Sequence, residues 1–187
     1  MYQRLKYGGF TLIELLVALL IITILSSIAV PNLSNWYASF ESRKVGNDLL
    51  GLMNLARHEA IYSRQLVTVC PLDGSGKCST NWNQSISVFR DPTNQKRLTD
   101  PTQRLREYSP PQSGELTIAS LTRRSFQFRP NGMTYGDLGN LTWCPISSDA
   151  RLASHLILNR GGRLRQSQER LSDGTPIKAN GDPVECN

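Results

Sequence analysis

Phe10-Thr11-Leu12-Ile13-Glu14-Leu15-Leu16-Val17-Ala18-Leu19-Leu20-Ile21-Ile22-Thr23-Ile24-Leu25-Ser26-Ser27-Ile28-Ala29-Val30 is the stretch on which the fold turns. As a helix this run is about 31 Å long, close to the thickness of a bilayer's hydrocarbon. Arg4 and Lys6 precede it with no acidic residue. The positive-inside rule therefore holds the N-terminus in the cytoplasm and sends the rest of the chain across. A cleaved secretory signal needs a small-residue site after the apolar run. Val30-Pro31-Asn32-Leu33 supplies none, so residues 10–30 read as a retained transmembrane segment. Glu14 breaks the pattern. A carboxylate there costs about 2.5–3.5 kcal/mol near a bilayer centre and less near its edge, so it needs a cationic partner or a place close to the headgroups.

The remainder of the 187 residues is enough for one ordinary domain. Hydrophobic residues make up 39%, concentrated in the first thirty positions, which excludes both a polytopic membrane protein and disorder throughout. Lysine and arginine number 21 against 15 aspartate and glutamate, a net charge of +6. The only histidines are His58 and His155, little for a histidine metal site or a catalytic base. With no nucleophile–base pair either, the chain reads as a non-enzyme with no metal and no cofactor.

Beyond the span, Pro31 lacks an amide to donate and predicts a kink. Apolar residues then recur at helical spacing through Leu33, Trp36, Tyr37, Phe40, Val45, Leu49, Leu52, Met53, Leu55, Ala56, Ala60 and Ile61. Residues 31–63 therefore continue the helix as an amphipathic half with one face on a domain, weakened locally by Gly46 and Gly51. From Leu66 the texture becomes short strands between turn signals, predicted over 66–70, 86–90, 116–121, 125–128, 141–144, 155–158 and 163–166. The polar, proline-bearing stretch from Asp91 to Ser113 reads as a long surface loop. The fold class is α+β: one long N-terminal helix packed on a small, mostly antiparallel β domain at 64–187.

Gly8-Gly9-Phe10-Thr11-Leu12-Ile13-Glu14-Leu15 resembles the prepilin signature of type IV pilins and type II secretion pseudopilins. The resemblance implies that residues 1–9 are a leader removed by a prepilin peptidase after Gly9, with methylation of the new amine of Phe10. It also implies that Glu14 pairs with the N-terminal amine of a neighbouring subunit during assembly. That agrees with the need of a carboxylate in lipid for a cation. Losing the leader removes Arg4 and Lys6, leaving 19 basic against 15 acidic side chains, a net of +4. Ala56-Arg57-His58-Glu59-Ala60-Ile61, Val67-Thr68-Val69-Cys70, Phe128-Arg129-Pro130-Asn131-Gly132 and Gly162-Arg163-Leu164-Arg165 resemble the GspH/FimT branch, which holds minor pilins and minor pseudopilins. The expected partners are other major and minor pilins, with the inner membrane as host before assembly. The β domain is expected in the periplasm and then on the extracellular pilus. Residues 166–187 have no clear counterpart in the branch.

Cys70, Cys78, Cys144 and Cys186 lie on the segment placed outside the cytoplasm, where disulfides are expected. Of three connectivities we favour Cys70–Cys78, closing a turn-rich loop, and Cys144–Cys186, fastening the C-terminal tail. A zinc site competes poorly, for no Cys-x-x-Cys is present.

Arg151, Arg160, Arg163, Arg165, Arg170 and Lys178 face only Glu169 and Asp173 within their stretch. Arg163 and Arg165, two apart, share a face in an extended segment. Gly161 and Gly162 free the backbone to approach a polyanion, and the planar guanidinium matches phosphate. Members of the FimT group bind DNA through Gly-Arg-x-Arg, so the resemblance implies capture of duplex DNA, independent of sequence, for natural transformation. The site expected is Arg160, Gly162, Arg163 and Arg165. Arg151, Arg170, Lys178 and the more distant Arg123, Arg124 and Arg129 form a possible surround. A solvated strand face is the plainer reading of the same arginines, and a structural minor pilin or a type II secretion pseudopilin without DNA binding is the alternative role.

Overall fold

The structure, a computed structural model, describes residues 11–120, 124–136 and 138–186, with backbone alone at 28–32 and 35. Gly9, Phe10 and Arg123 lie outside the described residues, so the expectations placed on them stand untouched. The chain divides into two compact units, Met1–Ala38 and Ser39–Asn187.

Helix α1 runs from Leu12 to Ser63 as one element, through Pro31. Thr11 caps it: its carbonyl accepts the amide of Leu15 at 3.2 Å and its hydroxyl accepts the amide of Glu14 at 3.3 Å. Thr-x-x-Glu is the sequence pattern of a capping box, and Glu14 in the first turn puts negative charge at the positive end of the helix dipole. In the first unit the large apolar side chains from Leu12 to Leu25 are all at least half exposed. Thr23 and Ser27 turn their hydroxyls back onto the carbonyls of Leu20 and Ile24, so both are satisfied without water. Among the described residues no helix is long and apolar enough to cross a membrane. The unbroken run of described side chains from Leu12 ends at Ser27, about 22 Å along the helical rise and short of a bilayer's hydrocarbon. The span expected over 10–30 includes Phe10 and side chains 28–30, outside the described set.

In the second unit Val45, Leu49, Leu52, Met53, Ala56 and Ala60 form a buried stripe at spacings of three and four. The sequence places the start of this face at Leu33, but Leu33, Trp36, Tyr37 and Phe40 are more than half exposed, and packing begins at Val45. Ile61, also assigned to that face, stays 44% exposed. Gly46, expected only to weaken the helix, is a contact: an added Cβ would lie 2.5 Å from Ser154 Oγ.

The stripe closes on two four-stranded antiparallel sheets. Strands β1 (Val67–Pro71), β2 (Ile86–Arg90), β3 (Arg104–Tyr108) and β5 (Phe126–Phe128) form one in the order β3-β2-β1-β5. Strands β4 (Gly114–Ser120), β6 (Gly139–Pro145), β7 (Ser154–Leu158) and β8 (Leu164–Gln166) form the other in the order β4-β6-β7-β8. Val67, Val69, Ile86, Val88, Phe126 and Phe128 meet Leu141, Trp143, Leu156, Leu158 and Leu164 in a single core. β3 corrects the reading of 91–113 as loop. Its register against β2 shifts between Val88 and Phe89, so Leu105 is an extra residue. Leu105 and Tyr108, three apart, both reach the core, and the period-two signal is erased.

Each sheet has an outer face that the core does not cover, and each is covered by a disulfide-anchored segment. Cys70 on β1 is joined to Cys78, holding the loop that follows β1. Asp91 is buried and accepts from Thr68 Oγ1 and from the amides of Gln95 and Lys96 at 2.8–2.9 Å, and Lys96 O in turn accepts the amide of Cys78 at 2.9 Å. Cys144 on β6 is joined to Cys186, holding the tail from Ser167 onward. Tight turns at Leu171–Thr175 and Lys178–Asp182 fold this tail into a flat cover, and Val184 packs with Cys144 and Ala153. These are the pairings favoured from the sequence.

The tail buries His155. Its Nδ1 lies 2.8 Å from Thr142 Oγ1, and its Nε2 has no partner among the described residues. Burial, then the charge of Lys178, push the imidazole down to about 4. The folded state thus refuses a proton that the unfolded chain accepts at 6.5. The stability contribution of His155 is complete above pH 6.5 and drains away as pH falls toward 4. The melting temperature is expected to fall by several degrees across that window, and more steeply than in His155→Asn, which a thermal melt at each pH will measure.

Candidate nucleic-acid interface

Strands β7 and β8 pair from Leu156–Gln166 to Leu158–Leu164, so Asn159–Arg163 is the tip of a hairpin. Asn159 makes the turn. Its carbonyl accepts the amide of Gly162 at 3.0 Å, and its side-chain oxygen accepts the amide of Arg163 at 3.0 Å. Leu164 is buried, which throws Arg163 and Arg165 to the solvent side together. Arg160, Arg163 and Arg165 are all exposed, and among the described residues no carboxylate or carbonyl accepts from their guanidinium groups.

Gly162 has a different task from the one its motif suggests. Its φ is +75°, and an added Cβ would collide with the carbonyl oxygen of Gly132. Gly132 sits at φ +76° in the turn Arg129–Met133, and its carbonyl accepts from Arg57 Nε at 3.0 Å. Arg57 thus reaches from α1 to hold one glycine turn against the other. The tip is tied a second time where Arg160 O accepts the amide and the hydroxyl of Thr134 at 3.1 and 3.2 Å. Two residues from Arg57, Glu59 accepts from Arg90 Nε at 2.6 Å, fixing α1 to β2. Three sequence blocks that looked separate, around Arg57, Gly132 and Gly162, are one junction. Gly161 is the exposed glycine left to face a ligand.

The wider basic set divides. Arg129 stands beside the junction, its guanidinium 4.4 Å over the Tyr135 ring. Arg151 and Arg170 line a cleft of about 450 Å³ with Arg43, apart from the hairpin tip. Both are engaged there: Arg151 grips Asp149 through two bonds of 2.7–2.9 Å, and Arg170 donates to the carbonyls of Arg151 and Gly174. The bond from Arg151 holds the Asp149 carboxyl below the usual range. Lys178 is half-buried in the tail, and Arg124 lines another cleft with Lys77 and Lys96. Trp82 and Trp143 are in the core. Arg64, passed over in the sequence, is exposed at the end of α1 at φ +54°; a non-glycine residue in the position that usually ends a helix on glycine was its signal. Among the described residues no cluster of histidine, cysteine or carboxylate side chains is placed to hold a metal.

Residues 45–162 match the family described as type II transport protein GspH, and residues 4–30 match the prokaryotic N-terminal methylation motif. No curated protein matches the chain in sequence. Two crystal structures of the type IV minor pilin FimU of Pseudomonas aeruginosa strain PAO1 share the fold. One has a TM-score of 0.56 at 15% identity, over 79% of this chain and 96% of that one. The other scores 0.54 at 15% identity, over 78% and 99%. The minor pseudopilin EpsH of the Vibrio cholerae type 2 secretion system scores 0.48 at 15% identity, over 67% and 95%.

The junction separates two kinds of residue in one motif. Gly162→Ala is expected to cost about 1–3 kcal/mol for the left-handed backbone alone, with the collision against Gly132 added. Arg163→Gln with Arg165→Gln is expected to leave the melt unchanged. Denaturant titrations of the two variants beside the parent will measure the contrast.

Proposed function

We infer the role of this chain from its family, for it belongs to the GspH family of type II transport proteins. It acts as a minor pilin of a type IV pilus, incorporated near the tip, and it binds extracellular DNA without sequence preference for uptake in natural transformation. One observation carries the DNA reading: Arg160, Arg163 and Arg165 stand exposed, with no acceptor among the described residues, on a hairpin tip tied down at both Gly132 and Thr134. The tied backbone holds the three arginines on one tip without a loop having to order first, and five donors per fork suit phosphate oxygens. Binding of this kind is read from backbone charge, hence indifferent to sequence and sensitive to salt.

The N-terminal methylation motif supports processing by a prepilin peptidase after Gly9, with Phe10 as the methylated residue and Glu14 as the assembly carboxylate. The exposed apolar first unit supports a membrane anchor before assembly and burial among other pilins afterwards. The family's description as type II transport proteins favours one other reading, a pseudopilin of a type II secretion system that touches only other pseudopilins.

A DNA titration of the full chain in non-ionic detergent tests the DNA reading. The parent is expected to bind with a log–log salt slope of roughly -3 to -4 on duplex DNA, for three or four phosphates neutralised. Arg163→Gln with Arg165→Gln is expected to abolish binding; a parent that fails to bind at low salt overturns the DNA reading and leaves a structural minor pilin or a pseudopilin. Glu14→Ala is expected to lower the amount of the protein in sheared filaments while the β domain keeps its melt. Normal filament levels would remove the assembly role from Glu14.

A further inference from the structure

Beside the arginine hairpin lies a shallow cleft of about 580 Å³, lined by Arg64, Pro92, Asn94, Arg129, Pro130 and Tyr135. We propose that this cleft receives an unpaired nucleobase, so that the interface takes single-stranded DNA in preference to duplex; the proposal rests on the DNA reading above and deepens it.

Continuity comes first. Thr134 donates to Arg160 O on the hairpin tip, and Tyr135 is the next residue, so hairpin and cleft share one piece of backbone. Arg129 opens the turn whose Gly132 is locked against Gly162. A strand whose phosphates lie on Arg160, Arg163 and Arg165 passes directly to the cleft.

The lining has the chemistry of a base rather than of a backbone alone. Tyr135 is 43% exposed although Arg129 covers it at 4.4 Å, which leaves ring surface open to the solvent. The stacked guanidinium holds the ring and is itself held, and both planes are surfaces on which bases stack. Pro92 and Pro130 add flat, rigid apolar walls with no rotamer freedom to lose. Arg64 supplies a second cation at the cleft for the adjoining phosphate.

The backbone around the cleft is also built at a cost. Arg64 and Asn94 both lie in the left-handed region, at φ +54° and +55°, where side-chain-bearing residues are uncommon. Such conformations persist where surroundings impose them and gather at binding sites. Asn94 is fixed by Gln127 Nε2, which donates to its Oδ1 at 2.8 Å from β5. Duplex DNA keeps its bases stacked and paired and so gains only the arginines. An unpaired strand gains the ring as well.

The test uses the full chain in non-ionic detergent with two fluorescent probes, an oligothymidylate and a duplex of equal length. Oligothymidylate is expected to bind more tightly than the duplex. Tyr135→Leu, which keeps the apolar volume and removes the ring, is expected to weaken oligothymidylate by at least about fivefold and to leave the duplex unchanged. Tyr135→Trp is expected to restore or exceed parental binding, which a role confined to folding would not do. Equal loss on both probes, or no loss on either while the arginine double variant abolishes binding, overturns the base cleft and leaves the DNA reading intact. Failure of the parent to bind either probe overturns the DNA reading itself.

Discussion

A single hydrogen bond, Arg57 Nε to Gly132 O, organises the junction on which the arginine hairpin stands. It joins the helix to the turn after β5; that turn fits against Gly162 because Gly162 carries no Cβ, and against Ile61 on the helix because Gly132 carries none. Helix, first sheet and second sheet meet there. The exposed arginines are exposed in a fixed direction because the residues between them, Gly162 and Leu164, are buried in that junction and in the core. Exposed and packed positions alternate residue by residue along one short hairpin.

The same alternation explains how much the sequence disclosed. The helix end at Ser63 and the strands β1, β2 and β4 to β8 follow from apolar spacing and turn residues, since each buries a face wide enough to leave a pattern. β3 left none, because a bulge at Leu105 puts two core contacts three residues apart and the other positions face water. The apolar run of Leu33, Trp36, Tyr37 and Phe40 looks like core in sequence and is surface here. Periodicity reports that a face is apolar; it does not name what covers that face.

For the site, the residues Arg160, Gly162, Arg163 and Arg165 were legible as a motif, but the division of labour among them was not. Gly162 reads in sequence as freedom to approach a ligand and proves to be a close contact with Gly132. Arg151 and Arg170 read as free charge and are engaged by Asp149 and by carbonyls. Gly132 and the carbonyl of Arg151 lie far along the chain from Gly162 and Arg170 and leave no local signal, whereas Asp149 stands only two residues before Arg151, just outside the basic stretch that begins there. The tail from Ser167 shows the same limit: its turns at Gly174 and Gly181 are plain in sequence, yet nothing local says that the folded tail lies over His155.

Cys144 and Cys186 stand on either side of β7, the arginine hairpin and β8, so the hairpin belongs to a covalently closed ring of chain. β8 is only three residues long and lies at the edge of its sheet. An open edge strand under tension unzips, surrendering its hydrogen bonds one after another at low force. The ring forbids that route from the C-terminal side. Tension applied at the C-terminal end passes through the disulfide into β6 and bypasses β8, so the shortest strand of the sheet is also the one spared that load.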